Sequence, residues 1–309
     1  MTLALLCSGQ GPQHPGMFGI TGAAPDARPL FDRAADLLDG SDPRTFVRDA
    51  DDATLHGNRI GQVLCTLQTV AAVAALPELA LGRRIVAGYS VGELGAWAVA
   101  GLIAPEAVLG LAVARADVMD AASRPGDGLL FVRGLSRDVV EGLCATHGGS
   151  VAIVNPGDAV VLGGSGEVLE VLADAARAAG AGRVVRLGVR VASHTPKLTD
   201  ATATFRDALA RAAVRTRVPA GVRLFSGIDA APVLDIGRGL DKLAAQISTT
   251  IRWGDCLAAA VEAGASAFLE LGPGRALADM AAGAYPDVPA RSLDDFKSAD
   301  GVRTWLKRL

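Results

Sequence analysis

The sequence predicts an α/β protein with a mostly parallel sheet and a smaller α+β unit inserted into it. Three observations predict this. Apolar, strand-like runs alternate with helix-like segments over residues 3–122 and again after residue 196, the pattern of parallel strands covered by helices on both faces. Between them, residues 128–187 read strand, helix, strand, strand, helix, strand, the order of a ferredoxin-like unit. The chain has 309 residues, half of them hydrophobic, enough core for one large domain or two moderate ones.

Each element has a local reason. Leu3–Cys7 is a short apolar strand, and SGQGPQHPG after it is a loop. Leu30–Leu38 and Gly61–Leu76 read as helices. Arg84–Tyr89 is a strand, and the helix after Ser90 runs to about Ala100, where Gly101 interrupts it. Pro105 suits a first helical position, and that helix runs to about Ala122. Gly128–Arg133 alternates like a strand, and Ser136 caps a helix that ends near Thr146. Val151–Val154 and Ala159–Leu162 are strands joined by NPGD, a turn signal. Ser165 opens a helix through about Ala179, and Arg183–Leu187 is the fourth strand of the unit. A helix around Pro196–Val214, a strand at Val222–Ser226 and helices at Leu240–Ile247 and Asp255–Ala263 follow. SAFLELG is the last strand and ends at Gly-Pro-Gly before a final helix. These limits give a large domain, 1–126 with 189–309, and a small one, 127–188.

Composition excludes several classes. The formal net charge is -3, there is no basic run, and aromatics make up 4%, which argues against a nucleic-acid binder. Cys7, Cys65, Cys144 and Cys256 lie far apart with no CxxC pair, so neither a metal site nor a disulfide framework is expected, and a reducing cytoplasm is the simplest setting. The apolar start lacks a basic flank and is too short for a signal peptide. Val63–Leu81 is long enough to span a membrane, but Gln68, Pro77 and Glu78 interrupt it, so a buried helix is expected and no membrane partner.

Gly88-Tyr89-Ser90-Val91-Gly92 places a serine between glycines at a strand-to-helix turn. With 37 glycines and 13 serines, chance alone supplies about 0.2 such patterns in this chain, so context must carry the rest. The context fits a nucleophile elbow: glycines permit the sharp turn, and a helix N-terminus favours developing negative charge. The plain alternative is a helix N-cap. A nucleophilic serine needs a base. His14, His56 and His147 sit in polar or loop sequence and read as solvated surface. His194, in RVASHTPKL, lies at an apolar-to-helix transition, where a structural role is the default reading. An α/β-hydrolase would place its histidine late in the chain, after the acid. Here 115 residues follow His194 without another histidine, and no carboxylate is selected by spacing. Arg115 is a lone cation in the apolar stretch VLGLAVARADVM. Buried, it needs an anion. Asp117, Glu93 or escape to the surface are the structural options.

CSGQGPQ (7–13), GYSVGE (88–93), LAVARADVM, ASHTP (192–196), AAQISTTIRW (244–253) and LELGPGRAL (269–277) occur in this order. Together they resemble the malonyl-CoA:acyl-carrier-protein transacylase family over nearly the whole chain. The resemblance implies a large α/β-hydrolase-like domain with an inserted ferredoxin-like domain. It implies Ser90 as the acyl-carrying nucleophile and His194 as its general base and acid. It implies the backbone carbonyl of Gln246 as the group orienting His194, and the N–H groups of Gln10 and Val91 as an oxyanion hole. It implies Arg115 as the ligand of malonyl's free carboxylate. The substrate would be malonyl-CoA and the acceptor the thiol prosthetic group of an acyl carrier protein, with no permanently bound cofactor.

The sequence departs from the family in places. Tyr89 stands where fatty-acid and polyketide members usually carry histidine, and the Asn-rich strand before the Pro-Gly turn is reduced to Asn155. GYSVGE with SHTP looks most like the ε subunit of malonate decarboxylase, which implies that enzyme's carrier subunit as partner. Transacylases of fatty-acid or polyketide synthesis are the alternative, with an esterase or thioesterase, or a non-catalytic subunit, behind them. Arg183, Arg186, Arg190, Lys307 and Arg308 are the cations available to an acidic carrier.

Overall fold

The computed structural model describes residues 2–309. Its strands are β1 Leu3–Cys7, β2 Arg84–Gly88, β3 Gly128–Arg133, β4 Ser150–Val154, β5 Ala159–Gly164, β6 Arg183–Arg186, β7 Val222–Leu224, β8 Ile251–Arg252, β9 Ala267–Glu270 and β10 Ala290–Ser292. They form two five-stranded sheets. The first has the order β10-β9-β1-β2-β7, and every neighbouring pair is parallel. The second has the order β6-β3-β5-β4-β8 and is antiparallel except where β8 joins β4.

Side-chain alternation along β1 divides the interior. Leu3, Leu5 and Cys7 face a core shared with the helices Arg28–Leu37, Asn58–Ala75 and Pro105–Ala122. Ala4 and Leu6 face the other way, toward Trp253, Leu257 and Phe268, and this core continues into Leu129, Ile153 and Val161 of the second sheet. A strand buried on both faces must be apolar at every position, and LALLC is.

The segment with membrane-like composition becomes the central helix Asn58–Ala75, with Pro77 starting a short 3-10 turn after it. Its polar side chains find partners inside the protein. Gln68 accepts from Thr21 Oγ1 (2.9 Å) and donates to the Leu271 carbonyl (3.2 Å). Among the described residues, no helix is long and apolar enough to cross a membrane.

Three α-helices, Pro43–Asp49, Asp52–Leu55 and Ala299–Leu306, and two strands, β8 and β10, were not anticipated, nor were the short 3-10 turns Pro25–Ala27, Pro77–Ala80 and Leu293–Asp295. β9 is therefore not the last strand. β8 and β10 have two and three residues, too few to show an alternation. The helix placed at Pro196–Val214 is a 3-10 turn followed by Thr199–Ala210. Strands β3 to β6 come from residues 128–186, while β8 is supplied from the C-terminal part of the chain. We propose 127–188 as the limits of the small domain on this ground.

Candidate active site

The parallel register sets Cys7 beside Gly88. The loop after β1 and the turn after β2 therefore emerge side by side at the carboxyl edge of the sheet, the usual place for an α/β site. Tyr89 N–H donates to the Cys7 carbonyl (2.9 Å), and Glu93 N–H donates to the Ser90 carbonyl (3.0 Å). The two glycines flanking the turn have no room for a side chain. A Cβ on Gly92 would lie 2.1 Å from the Cys7 carbonyl oxygen, and one on Gly88 2.2 Å from the Glu93 nitrogen. Ser90 itself sits at φ 55 and His194 at φ 62. Both are non-glycine residues held in the left-handed region, a strained conformation that clusters at functional sites.

Ser90 Oγ and His194 Nε2 are 2.8 Å apart. His194 Nδ1 lies 2.6 Å from the Gln246 carbonyl oxygen. A carbonyl only accepts, so Nδ1 carries the proton and Nε2 presents its lone pair to the serine. An imidazole in that tautomer can take the hydroxyl's proton. Burial, reinforced by the positive charge of Arg115, lowers the His194 pKa to about 3, against the opposing pull of the Gln246 carbonyl. The ring therefore stays neutral, with its Nε2 lone pair unprotonated, well below the ordinary imidazole range. At saturating thioester, the rate of Ser90 acylation is expected to stay level from pH 8 to 5.5. A rapid-quench pH series checks this, and a fall with a midpoint near 6.5 contradicts it.

Arg115 is buried, but it pairs with neither predicted carboxylate. Asp117 pairs with Arg59 instead (2.7 Å). Arg115 Nη1 donates to Gln62 Oε1 (2.8 Å) and Nη2 to Gln246 Oε1 (3.0 Å). Glu93 is reached only through Gln246, whose Nε2 donates to Glu93 Oε2 (2.5 Å) and to the Ser90 carbonyl (3.1 Å). Glu93 also accepts from Gly227 N–H (3.1 Å). Burial raises the Glu93 pKa to about 7 despite these donors, and lowers the Arg115 pKa to about 10 despite Glu93. One glutamine thus links the histidine, the serine turn, the cation and the buried acid. Of a guanidinium's five N–H donors, two are committed to neutral amides, which are weaker acceptors than a carboxylate.

A cavity of about 740 Å³ opens over Ser90 and His194. Its floor includes Gln10, Gly9 and Glu270, and the face toward the second sheet is apolar, with Leu129, Phe131 and Val161. Among the described residues, neither Gln10 N–H nor Val91 N–H has a protein acceptor. Gln10 is braced by its side chain on the Asn58 carbonyl (3.1 Å). Neither Arg115 nor Gln246 is part of the cavity wall, and the two are hydrogen-bonded to each other.

Some functional neighbours were missed from sequence. His56, read as solvated surface, lines the cavity mouth with Nε2 3.2 Å from the Gly11 carbonyl oxygen. Gln62 was hidden in an apolar helix. Glu270 sits in the cavity wall, accepts from Ser8 Oγ (2.7 Å) and Ala278 N–H (2.9 Å), and is pushed up to about 7 by burial. Tyr89 stands edge-on to Trp253 (centroids 5.4 Å apart) beside Asn155, whose buried Oδ1 has no partner. His14 is at the surface, as expected, paired with Asp294 (2.8 Å).

A malonyl CoA-acyl carrier protein transacylase of Mycobacterium bovis is 32% identical over 301 residues, covering 94% of this chain and 96% of that one. The crystal structure of an acyl-carrier-protein S-malonyltransferase from Burkholderia pseudomallei superimposes with TM-score 0.90 at 27% identity, over 99% of this chain and 100% of the other. A malonyl-transacylase solved in complex with a type II polyketide synthase acyl-carrier protein gives TM-score 0.90 at 25% identity, covering 100% of both chains. Residues 4–277 match the acyl transferase domain, and the chain accordingly belongs to the acyl transferase family and is an acyltransferase.

Proposed function

We propose that this acyltransferase moves a malonyl group from malonyl-CoA to the thiol of an acyl carrier protein, serving fatty-acid or polyketide synthesis. The observation that carries the reading is the Ser90–His194–Gln246 chain, 2.8 and 2.6 Å long, with a buried arginine joined to it through the Gln246 side chain. Similarity to malonyl transacylases supports the substrate and the acceptor.

In this reading His194 Nε2 takes the Ser90 proton as Oγ attacks the thioester carbonyl. The oxyanion forms near the N–H groups of Gln10 and Val91, and each such donor is worth about 3 kcal/mol to the transition state. Collapse breaks the C–S bond, and the departing CoA thiolate takes the proton from Nε2. The carrier thiol then gives its proton to Nε2 and attacks the serine ester; collapse breaks the acyl C–Oγ bond, Oγ takes the proton back from Nε2, and the carrier leaves with the malonyl group. His194 Nδ1–H stays bonded to Gln246 throughout. For Arg115 to hold the malonyl carboxylate in a bidentate grip, the Gln62 and Gln246 amide oxygens must move off its fork. The apolar sheet face covers the thioester arm and keeps water from the ester. Arg190, on the cavity rim, with Arg183 and Arg186 in β6, lies on the approach of an acidic carrier. Lys307 and Arg308 follow the last helix.

Steady-state release separates the alternatives. Malonyl-CoA alone is expected to give one CoA per protein and then stop, and added holo-carrier restarts turnover. Continuous malonate release without acceptor contradicts transfer and indicates a hydrolase. No CoA release at all indicates a non-catalytic subunit. A second reading, transfer within malonate decarboxylase, rests on Tyr89 and the ASHTP stretch. It predicts that only a carrier bearing a dephospho-CoA-derived thiol restarts turnover.

A further inference from the structure

Three arginines gather at the amino edge of the parallel sheet, opposite the catalytic cleft. Arg84 begins β2, Arg83 precedes it and Arg223 lies in β7. With Thr2, Gly221 and Ala263 they line a hollow of about 370 Å³. Strand β2 runs from this hollow to the serine turn, so the two sites are separated by at least about 13 Å of strand. Among the described residues, none that lines the hollow is acidic. Among the described residues, none of the three arginines is ion-paired, whereas Arg59 and Arg303 elsewhere are. Glu262, beside Ala263, forms no ion pair with Arg223.

The forks are held by main chain rather than by counter-charge. Arg84 Nη1 donates to the Ala80 carbonyl, and Arg223 Nη1 donates to the Ala263 carbonyl (3.3 Å). Arg84 Nε is shielded from water and, among the described residues, has no acceptor. A buried orphan donor costs about 1–3 kcal/mol, and native proteins leave few of them unexplained. Burial also lowers the Arg84 pKa, the direction an adjacent anion reverses. Three like charges around one hollow repel each other, and a multiply charged oxyanion removes that repulsion. Planar guanidinium forks match phosphate oxygens bidentately, and the hollow has room for more than a single carboxylate.

We propose that this hollow binds a phosphorylated anion, gripped by Arg83, Arg84 and Arg223. The inference is independent of the acyl-transfer reading.

Calorimetric titration of the full chain with inorganic pyrophosphate tests it. One saturable site is expected in the wild type. The Arg83→Ala/Arg223→Ala double variant should bind at least about tenfold more weakly, with unchanged transferase activity and unchanged melting temperature in the absence of ligand. Arg84→Lys, which keeps the charge but loses the planar fork, should also bind more weakly. Competition with adenosine 3′,5′-bisphosphate assigns the source. Displacement of pyrophosphate points to a nucleotide, and its failure points to free phosphate or pyrophosphate. No saturable binding in the wild type, or equal binding in the double variant, overturns the proposal.

Discussion

Ser90→Ala is expected to lower the rate of malonyl transfer by on the order of 10⁶-fold, and His194→Ala nearly as far. The reason lies in the 2.8 Å contact between Ser90 Oγ and His194 Nε2. Without the hydroxyl there is no acyl acceptor. Without the imidazole the hydroxyl keeps its proton and the thiolate leaves unprotonated. The two act as one unit, so the double variant should be no slower than either single one. Any residual rate comes from the oxyanion donors and from binding, worth about 10³-fold over water. Neither loss should come from misfolding. Alanine at 90 keeps the same turn, which is held by the Tyr89–Cys7 and Glu93–Ser90 backbone bonds. Single-turnover assays on both variants and their combination check this. Additive losses, or Ser90→Ala retaining a hundredth of the rate, contradict it.

Arg115→Ala is expected to lower kcat/KM for malonyl-CoA by about 10²–10⁴-fold, the cost of about 3–5 kcal/mol for leaving a buried charge unpaired. For acetyl-CoA, which has no carboxylate to place, the same change should be nearly neutral. The discrimination between the two donors therefore collapses. The buried Glu93 loses the cation Arg115 beside it, but with its pKa already at about 7 it can take a proton rather than unfold the site. Arg115→Lys keeps the charge without the planar fork and should fall between wild type and alanine. Measuring kcat/KM for both donors on both variants tests the assignment. An equal loss for malonyl and acetyl would mean that Arg115 serves the structure alone.

Much of the scaffold was legible from local signals. β1, β3 and the helix Pro105–Ala122 fall where alternation and the helix-opening proline place them. Ser136 and Ser165 cap their helices, with their hydroxyls accepting from Val139 and Val168 N–H. The serine turn was legible because the glycine requirement is local: both flanking glycines abut backbone within three ångströms of where a Cβ would stand. The network behind it was not. Residues 93, 115 and 246 meet through one glutamine side chain, and no sequence period records a contact over such separations. Asp117 misled because it is near Arg115 in sequence, yet residues two apart on a helix point to different sides. His56 lies in a polar stretch, and only the short helix Asp52–Leu55 turns it toward the cavity. The pairing of His194 with a carbonyl rather than a carboxylate came from family resemblance, since spacing selected no acid.

Sequence resemblance favoured the ε subunit of malonate decarboxylase, chiefly through Tyr89. The transacylase relatives match 94% of the chain and include a carrier-bound homologue over its full length. They support the transacylase reading better, so that reading stands first. Tyr89 then becomes a residue of the cavity wall, packed on Trp253, rather than a marker of pathway.

Intact mass spectrometry of the protein after brief exposure to malonyl-CoA is the most direct measurement. It should show one added malonyl group per chain, carried on the peptide containing Ser90 and discharged by a holo-carrier thiol. An unmodified protein, or an acyl group on any other residue, contradicts the account.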